Sequence, residues 1–331
     1  MTDVAQPPGG PSVGGRGAGI RRGPRLSRVE RRNLRTGLLF ISPWLLGFSA
    51  FTLYPSLASL YYSFTNLKIL QTPQWIGLDN YAQLLKDPLF WKSLGNTLYL
   101  TLVGVPIAVM VALSIALLLN RKQVRGIGVF RTIFYLPFVV PTVASAILFI
   151  FLLNPANGLV DQLLGFVGIH GPRWFFDPAW AKNGLILLMV WSAGDIIIIY
   201  LGALQGVPRV LYEAAEVDGA GPWVKLRHVT IPMISPAILF NLITGAISAF
   251  QYFTQAYVIG NGVTTATNDA SIGGIQNSML MYGLHLYNNG FRYFRMGYAS
   301  ALAWLLLVTI LIATLVLLRV SRSRVYYEGE R

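Results

Sequence analysis

Asp195 is the only carboxylate set deep inside a long apolar stretch of this chain, the run from Asn183 to Leu204. A charge is costly in such surroundings, so an ionisable residue there marks function by default. It could hydrogen-bond the hydroxyls of a polyhydroxylated solute, pair with a basic group of a partner subunit, or relay protons in a secondary carrier. A second set lies further on: Asn241, Thr244, Ser248, Gln251 or Tyr252, and Gln255 recur at helical spacing and fall close to one face. With Trp191, Tyr200 and Tyr257 they offer hydrogen-bonding groups and flat apolar surfaces to a polar solute. Such side chains also join membrane helices to one another, so a solute-facing stripe and interhelical packing are equally open readings.

Other chemistries lack their residues. The chain has no cysteine, which removes disulfides and thiolate metal sites. His170, His228 and His285 lie in loops without metal-ligand spacing and read as solvent-exposed. Gly-Lys occurs nowhere, so there is no Walker A sequence, and the early Gly-Gly-Arg-Gly-Ala-Gly run has no strand before it to make it a phosphate loop. There is no nucleophile elbow and no HExxH pattern. The chain is therefore expected to be no enzyme and to bind no cofactor or metal of its own.

The elements that must hold these residues are membrane helices. Of 331 residues 54% are hydrophobic and only 12% charged, and the mean hydropathy is +0.55; this is the composition of an all-α membrane protein. Six segments reach the roughly 20 residues needed to cross a bilayer: Gly37 to Thr65, Asn96 to Leu119, Thr132 to Leu153, Asn183 to Leu204, Ala237 to Gly260 and Gly297 to Leu318. The first is too long for a signal-peptide core and has no small-residue cleavage site, so it reads as a retained helix, kinked at Pro43 and Pro55. The net charge of +13 comes from basic residues beside the apolar runs, not from a stripe interleaved with aromatics, which argues against nucleic acid. Of the 26 Lys and Arg, 19 fall on one side of the six-span topology and 7 on the other, which places both termini in the cytoplasm. Tyr61, Tyr62, Trp75, Trp91, Trp174 and Trp180 at the outer helix ends fit an interfacial belt. Residues 1–35, rich in Gly, Pro, Ser and Arg, read as a disordered basic cytoplasmic tail; residues 36–319 form the membrane domain, and 320–331 a second cytoplasmic tail.

Between the fourth and fifth spans lies a polar, cytoplasmic loop, 205–235. Leu211 to Val217 is built from good helix formers, Gly219 to Pro222 breaks the helix, and Trp223 to Val229 starts another. Leu211, Ala214, Ala215, Trp223 and Leu226 give this protrusion an apolar face suited to a partner's groove.

The sequence Glu213-Ala214-Ala215, three residues, Gly219, nine residues, then Val229-Thr230-Ile231-Pro232 resembles the coupling loop of the binding-protein-dependent ABC-importer permeases. Ser42-Pro43-Trp44-Leu45-Leu46-Gly47-Phe48, Tyr54-Pro55, Phe253-Thr254-Gln255-Ala256-Tyr257-Val258 and Phe291-Arg292-Tyr293-Phe294-Arg295-Met296-Gly297-Tyr298-Ala299-Ser300-Ala301 are similar to the carbohydrate-importing group, the maltose and glycerol-phosphate type. The group's Thr-Gly-Gly-Gly-Pro is replaced here by Ile259-Gly260-Asn261-Gly262-Val263, which bears on one outer loop. The similarity runs from Arg35 to Arg319.

The resemblance implies a multi-pass permease of the bacterial inner membrane that forms half of a path for a sugar or oligosaccharide. Its implied partners are ABC ATPase subunits, which use ATP and Mg, a second homologous permease, an extracytoplasmic solute-binding protein, the sugar and the surrounding lipid. Glu213 takes the role of pairing with a basic residue of the ATPase, Gly219 that of the turn, and Ala214, Ala215, Asp218, Ile231 and Pro232 complete the coupling segment. The rival reading is a proton-coupled secondary carrier using Asp195, which gives no reason for the Glu213 to Pro232 loop.

Overall fold

In the computed structural model the described residues are 28–69, 71–121, 126–267, 271 and 273–321, so most of both expected tails lies outside them. These residues are helical throughout, apart from loops and one isolated bridge between Thr65 and Trp75. Packing divides the chain after Ser56; the cavities and clusters below all belong to the unit that begins at Leu57.

Three helical runs are long and apolar enough to cross a membrane without interruption: Arg32–Ser63, Pro88–Leu119 and Met296–Ser321. The other three expected spans are broken. Ile127–Val139 meets Thr142–Leu152 at 101° and Ala181–Trp191 meets Gly194–Gln205 at 47°; a third bend, 64° between Pro222–Met233 and Ser235–Phe250, lies just before the fifth expected span. The segment read as one helix from Ala237 to Gly260 ends at Phe250 and resumes at Thr254. At the amino-terminal end the helix starts at Arg28, so residues 28–35 are not the disordered tail expected; their Arg, Glu and Leu residues are good helix formers.

Proline shapes these helices more than loops do. Of the four π-helical turns among the described residues, three, Ser49–Leu53, Leu100–Gly104 and Leu226–Thr230, end two residues before a proline, Pro55, Pro106 and Pro232; the fourth, Asn288–Arg292, does not. A proline ring has no N–H and presses on the carbonyl four residues back, so the preceding turn widens to pair differently.

Three apolar clusters hold the larger unit together. One joins Val105, Val109, Ala112, Ala116 and Leu119 to Ile197, Leu201, Leu204, Val207 and Ile234, which fixes the Leu119 end of Pro88–Leu119 to the root of the 205–235 loop. Another, around Leu100, Phe149, Leu185, Ile259 and Leu280, ties the broken helices to each other. The third packs Leu84 and Phe90 against Tyr282, Tyr298 and Leu302, with the Tyr282 hydroxyl donating to the Leu302 carbonyl at 2.8 Å. Here His285 departs from its expected exposure: only 4% of it is accessible, because the short helix Tyr282–Tyr287 folds its side chain inward. His170 and His228 are exposed.

Candidate functional site

The breaks in two of the bent pairs and the gap between Phe250 and Thr254 converge on one cavity of about 710 Å³. Val140 and Thr142 border it at the first break, Ser192 and Ala193 at the second, and Gln251, Tyr252 and Phe253 at the gap before Thr254. Irregular backbone in a membrane protein is tolerated where it lines a cavity and other groups can satisfy its amides and carbonyls. Close helix approach shapes the wall: a side chain at Gly194 would put a carbon 2.7 Å from the Phe134 carbonyl oxygen, so the residue must stay small for the two helices to meet.

Most of the polar residues expected to face solute are brought together here. Asn241, Thr244, Ser248, Gln251 and Tyr252 border the cavity from Ser235–Phe250 and the gap after it, and Gln255 from the next helix, Thr254–Thr267. Part of their hydrogen bonding is spent locally: Asn241 Nδ2 donates to Ala237 O at 3.0 Å and Thr244 Oγ1 to Phe240 O at 2.9 Å. The Tyr252 hydroxyl is buried and has no hydrogen-bond partner among the described residues. Asp195 lies on the same wall, half-buried in the first turn of Gly194–Gln205, where its carboxylate accepts from the backbone amides of Asp195 and Ile196. That is where a helix favours negative charge. Among the described residues no Lys, Arg or His borders the cavity.

Three expected residues lie elsewhere. Trp191 packs its ring 5.4 Å from Phe149 and borders a separate apolar cavity of about 330 Å³, because the bend at Ser192 and Ala193 turns it away from Asp195. Tyr200 is fully buried in the cluster with Ile197 and Leu201. Tyr257 joins Phe253 and Tyr287 in an aromatic group. Conversely, Pro137, Phe138, Ser145, Ser192 and Thr254 line the cavity unannounced. Pro137 and Pro141 were the available signal for a broken helix beside it.

The 205–235 loop forms two short helices, Arg209–Val217 and Pro222–Met233, around a glycine turn. Gly219 has φ +75°, donates to Glu216 O at 3.0 Å, and is followed by Ala220, which donates to Ala215 O at 2.8 Å. This paired closure is a Schellman stop, which favours glycine at the left-handed position. Tyr212 and Thr230 hydroxyls lie 3.0 Å apart and tie the helices together. Glu213, Ala214 and Asp218 are exposed, Ala215 is half-buried, and Ile231 and Pro232 sit just past the π-helical turn. Around them Val210, Val217 and Trp223 are 70%, 88% and 71% accessible, an uncovered apolar surface. Large exposed patches of this kind mark sites of association.

Comparison with known proteins gives a consistent result. The family described as binding-protein-dependent transport system inner membrane component matches residues 91–325. The chain is 40% identical to the probable ABC transporter permease protein YesP of Bacillus subtilis, covering 92% of this chain and 96% of that one. It is 35% identical to the lactose transport system permease protein LacF of Rhizobium radiobacter, covering 90% and 98%. Its fold resembles that in a crystal structure of a bacterial ABC transporter involved in the import of the acidic polysaccharide alginate, with a TM-score of 0.68 at 25% identity over 90% of this chain and 99% of the other.

Proposed function

The chain belongs to the family of inner membrane components of binding-protein-dependent transport systems, and from that premise we propose that it is the permease subunit of an ABC importer for a sugar or oligosaccharide. It is a multi-pass inner-membrane transport subunit, with ATP hydrolysis on a separate chain. Relatives named for lactose, trehalose/maltose and arabinooligosaccharide transport support the substrate class. The observation that carries the reading is the pairing of a polar cavity at three helix breaks with an exposed apolar loop at the far end of the same packed cluster.

In this reading six crossings, three of them broken, leave both termini in the cytoplasm. The central cavity is this chain's half of the path, with Asp195, Asn241, Thr244, Ser248, Gln251, Tyr252 and Gln255 offering hydrogen bonds to hydroxyls. A second homologous permease completes the path and an extracytoplasmic binding protein delivers the solute. The loop from Glu213 to Pro232 inserts its apolar surface into an ATPase subunit, where ATP with Mg drives the change of state. Coupling of this kind requires contacts that differ between the two states, and the direct link from Leu204, Val207 and Ile234 to the helices around the cavity supplies a mechanical connection. The proton-coupled carrier finds no support in the family.

The test is reconstitution of the co-purified complex in proteoliposomes with binding protein and labelled sugar. Uptake that depends on internal ATP and persists with an uncoupler is the expected result; uptake driven by a proton gradient without ATP would overturn it.

A further inference from the structure

A second polar cavity, about 460 Å³, lies at the opposite end of the molecule from the coupling loop. The span Pro88–Leu119 fixes that geography. Its Leu119 end packs at the root of the loop, and Asp87, which borders this cavity, immediately precedes its first residue. Thirty-two helical residues separate the two ends, on the order of 45 Å.

The floor of the cavity is buried and the mouth is open. His285, Asn288 and Asn289 are 4%, 3% and 3% accessible, whereas Tyr293, Arg295 and Leu89 are exposed at the rim. Nearly every polar group here is engaged. Asp87 accepts from Leu89 N at 2.8 Å and the Tyr298 hydroxyl at 2.7 Å, and lies 3.4 Å from His285 Nε2. Asn289 Nδ2 donates to His285 O at 2.9 Å; Arg295 donates to Gln83 Oε1 at 3.1 Å and lies over the Tyr298 ring. The exception is Asn288, whose Nδ2 has no hydrogen-bond partner among the described residues. A buried amide left unpaired costs about 1–3 kcal/mol, and native structures rarely leave one without reason.

We propose that this outer cavity is a saccharide-binding site, in which Asn288 Nδ2 donates to a sugar oxygen on the floor and Tyr293 covers the ring at the mouth. The inference rests on the sugar-import reading above and adds a second station on the route. Several features select this ligand class. Asp87 and Arg295 place one negative and one positive charge beside the cavity, so no net charge calls for an ionic ligand. Carboxylate, carboxamide and guanidinium groups are planar and fit pairs of adjacent hydroxyls. The volume lies within the roughly 300–1,000 Å³ of small-molecule pockets. A docked protein loop would instead meet a broad exposed face, not a buried floor.

The experiment uses the whole transporter in lipid nanodiscs without its binding protein, with D-galactose, lactose and trehalose as probes in saturation-transfer NMR. Signal from at least one probe is expected. Tyr293→Ala, an exposed change that leaves the core alone, and Asn288→Leu should each weaken binding roughly three- to tenfold, the value of one neutral hydrogen bond or its equivalent, while Glu216→Gln in the loop at the far end leaves the signal in place. No signal from any probe, a signal that requires the binding protein, or a signal lost with Asn241→Ala in the central cavity and kept in both outer variants would overturn the proposal. ATP-driven uptake by the same purified complex, reconstituted in proteoliposomes with its binding protein, separates the two readings: uptake without an outer-cavity signal defeats this inference alone, and absence of uptake defeats the import reading.

Discussion

Lys225 Nζ lies 2.6 Å from Glu216 Oε1, so an ion pair bridges the two helices of the coupling loop across the Gly219 turn. The pair holds the Glu216 carboxyl below its ordinary range, first through the hydrogen bond from Lys225 and then through its charge. Glu216 is fully exposed, and surface pairs of this type contribute little to stability. Glu216→Gln is therefore expected to retain normal membrane levels and near-normal uptake, measured side by side in cells. A depressed carboxyl pKa supports the fold above its unfolded value and loses that support as pH falls through the lower folded value, so any difference between Glu216→Gln and wild type should vanish in strongly acidic buffer.

Glu213 has no such partner on this chain's described surface, and its predicted role is in the complex. Glu213→Ala should insert normally and abolish uptake. Gly219→Pro should do the same, because proline is fixed near φ −65° and position 219 sits at +75°. Gly219→Ala is the milder probe, with strain of about 1–2 kcal/mol at the turn. The check is transport in whole cells beside a membrane-fraction blot; normal uptake by either severe variant would remove the loop from the coupling mechanism.

Burial pushes the pKa of His285 down, against the opposing pull of Asp87, while Arg295 adds to the depression. Its neutral form is therefore favoured in the folded protein. The unfolded chain binds the proton more readily, so stability rises with pH through the region below the ordinary histidine value of about 6.5 and is lost on acidification. Thermal unfolding of the detergent-solubilised complex should fall in midpoint from pH 7 to pH 5, and His285→Gln should flatten that slope. An unchanged slope would show that the imidazole does not titrate between the two states.

Asp195 distinguishes an importer from a carrier. Asp195→Asn preserves shape and hydrogen bonding and removes the ionisable group. Uptake in this variant should remain ATP-driven, with any change falling on the apparent sugar affinity. Proton-gradient-driven uptake by the wild type that this variant loses would restore the carrier.

The polar face of the fifth span was legible because Asn241, Thr244 and Ser248 obey helical spacing, and the coupling loop because Gly219 and its flanking helix formers state a turn in plain chemistry. The breaks were legible only where proline marks them. Pro141 sits at the first, but nothing in Ser192-Ala193 or Gln251-Tyr252-Phe253 forbids a helix, and the interruption there arises from packing around the cavity. Trp191 shows the cost: four residues before Asp195, it would share its face in a continuous helix, and the 47° bend sends it to another cavity. His285 was misread because a six-residue helix between spans is too short to show a period, yet long enough to bury one side chain.

The widened turn at Leu100–Gly104 carries one residue more than an α-helical turn would, and each residue of an α-helix advances the phase by about 100°. The half of that span before the turn, where Asn96 donates to the Asn277 and Leu280 carbonyls, is thereby set out of phase with the half after it, where Val105 and Ala108 border the central cavity. Removing a single residue from this turn would leave the Pro88 end seated and swing the half that follows by more than a quarter of a revolution, carrying Leu119 and the loop root out of alignment, so the chain's tolerance for insertions and deletions should be lower in the middle of this helix than anywhere in its surface loops.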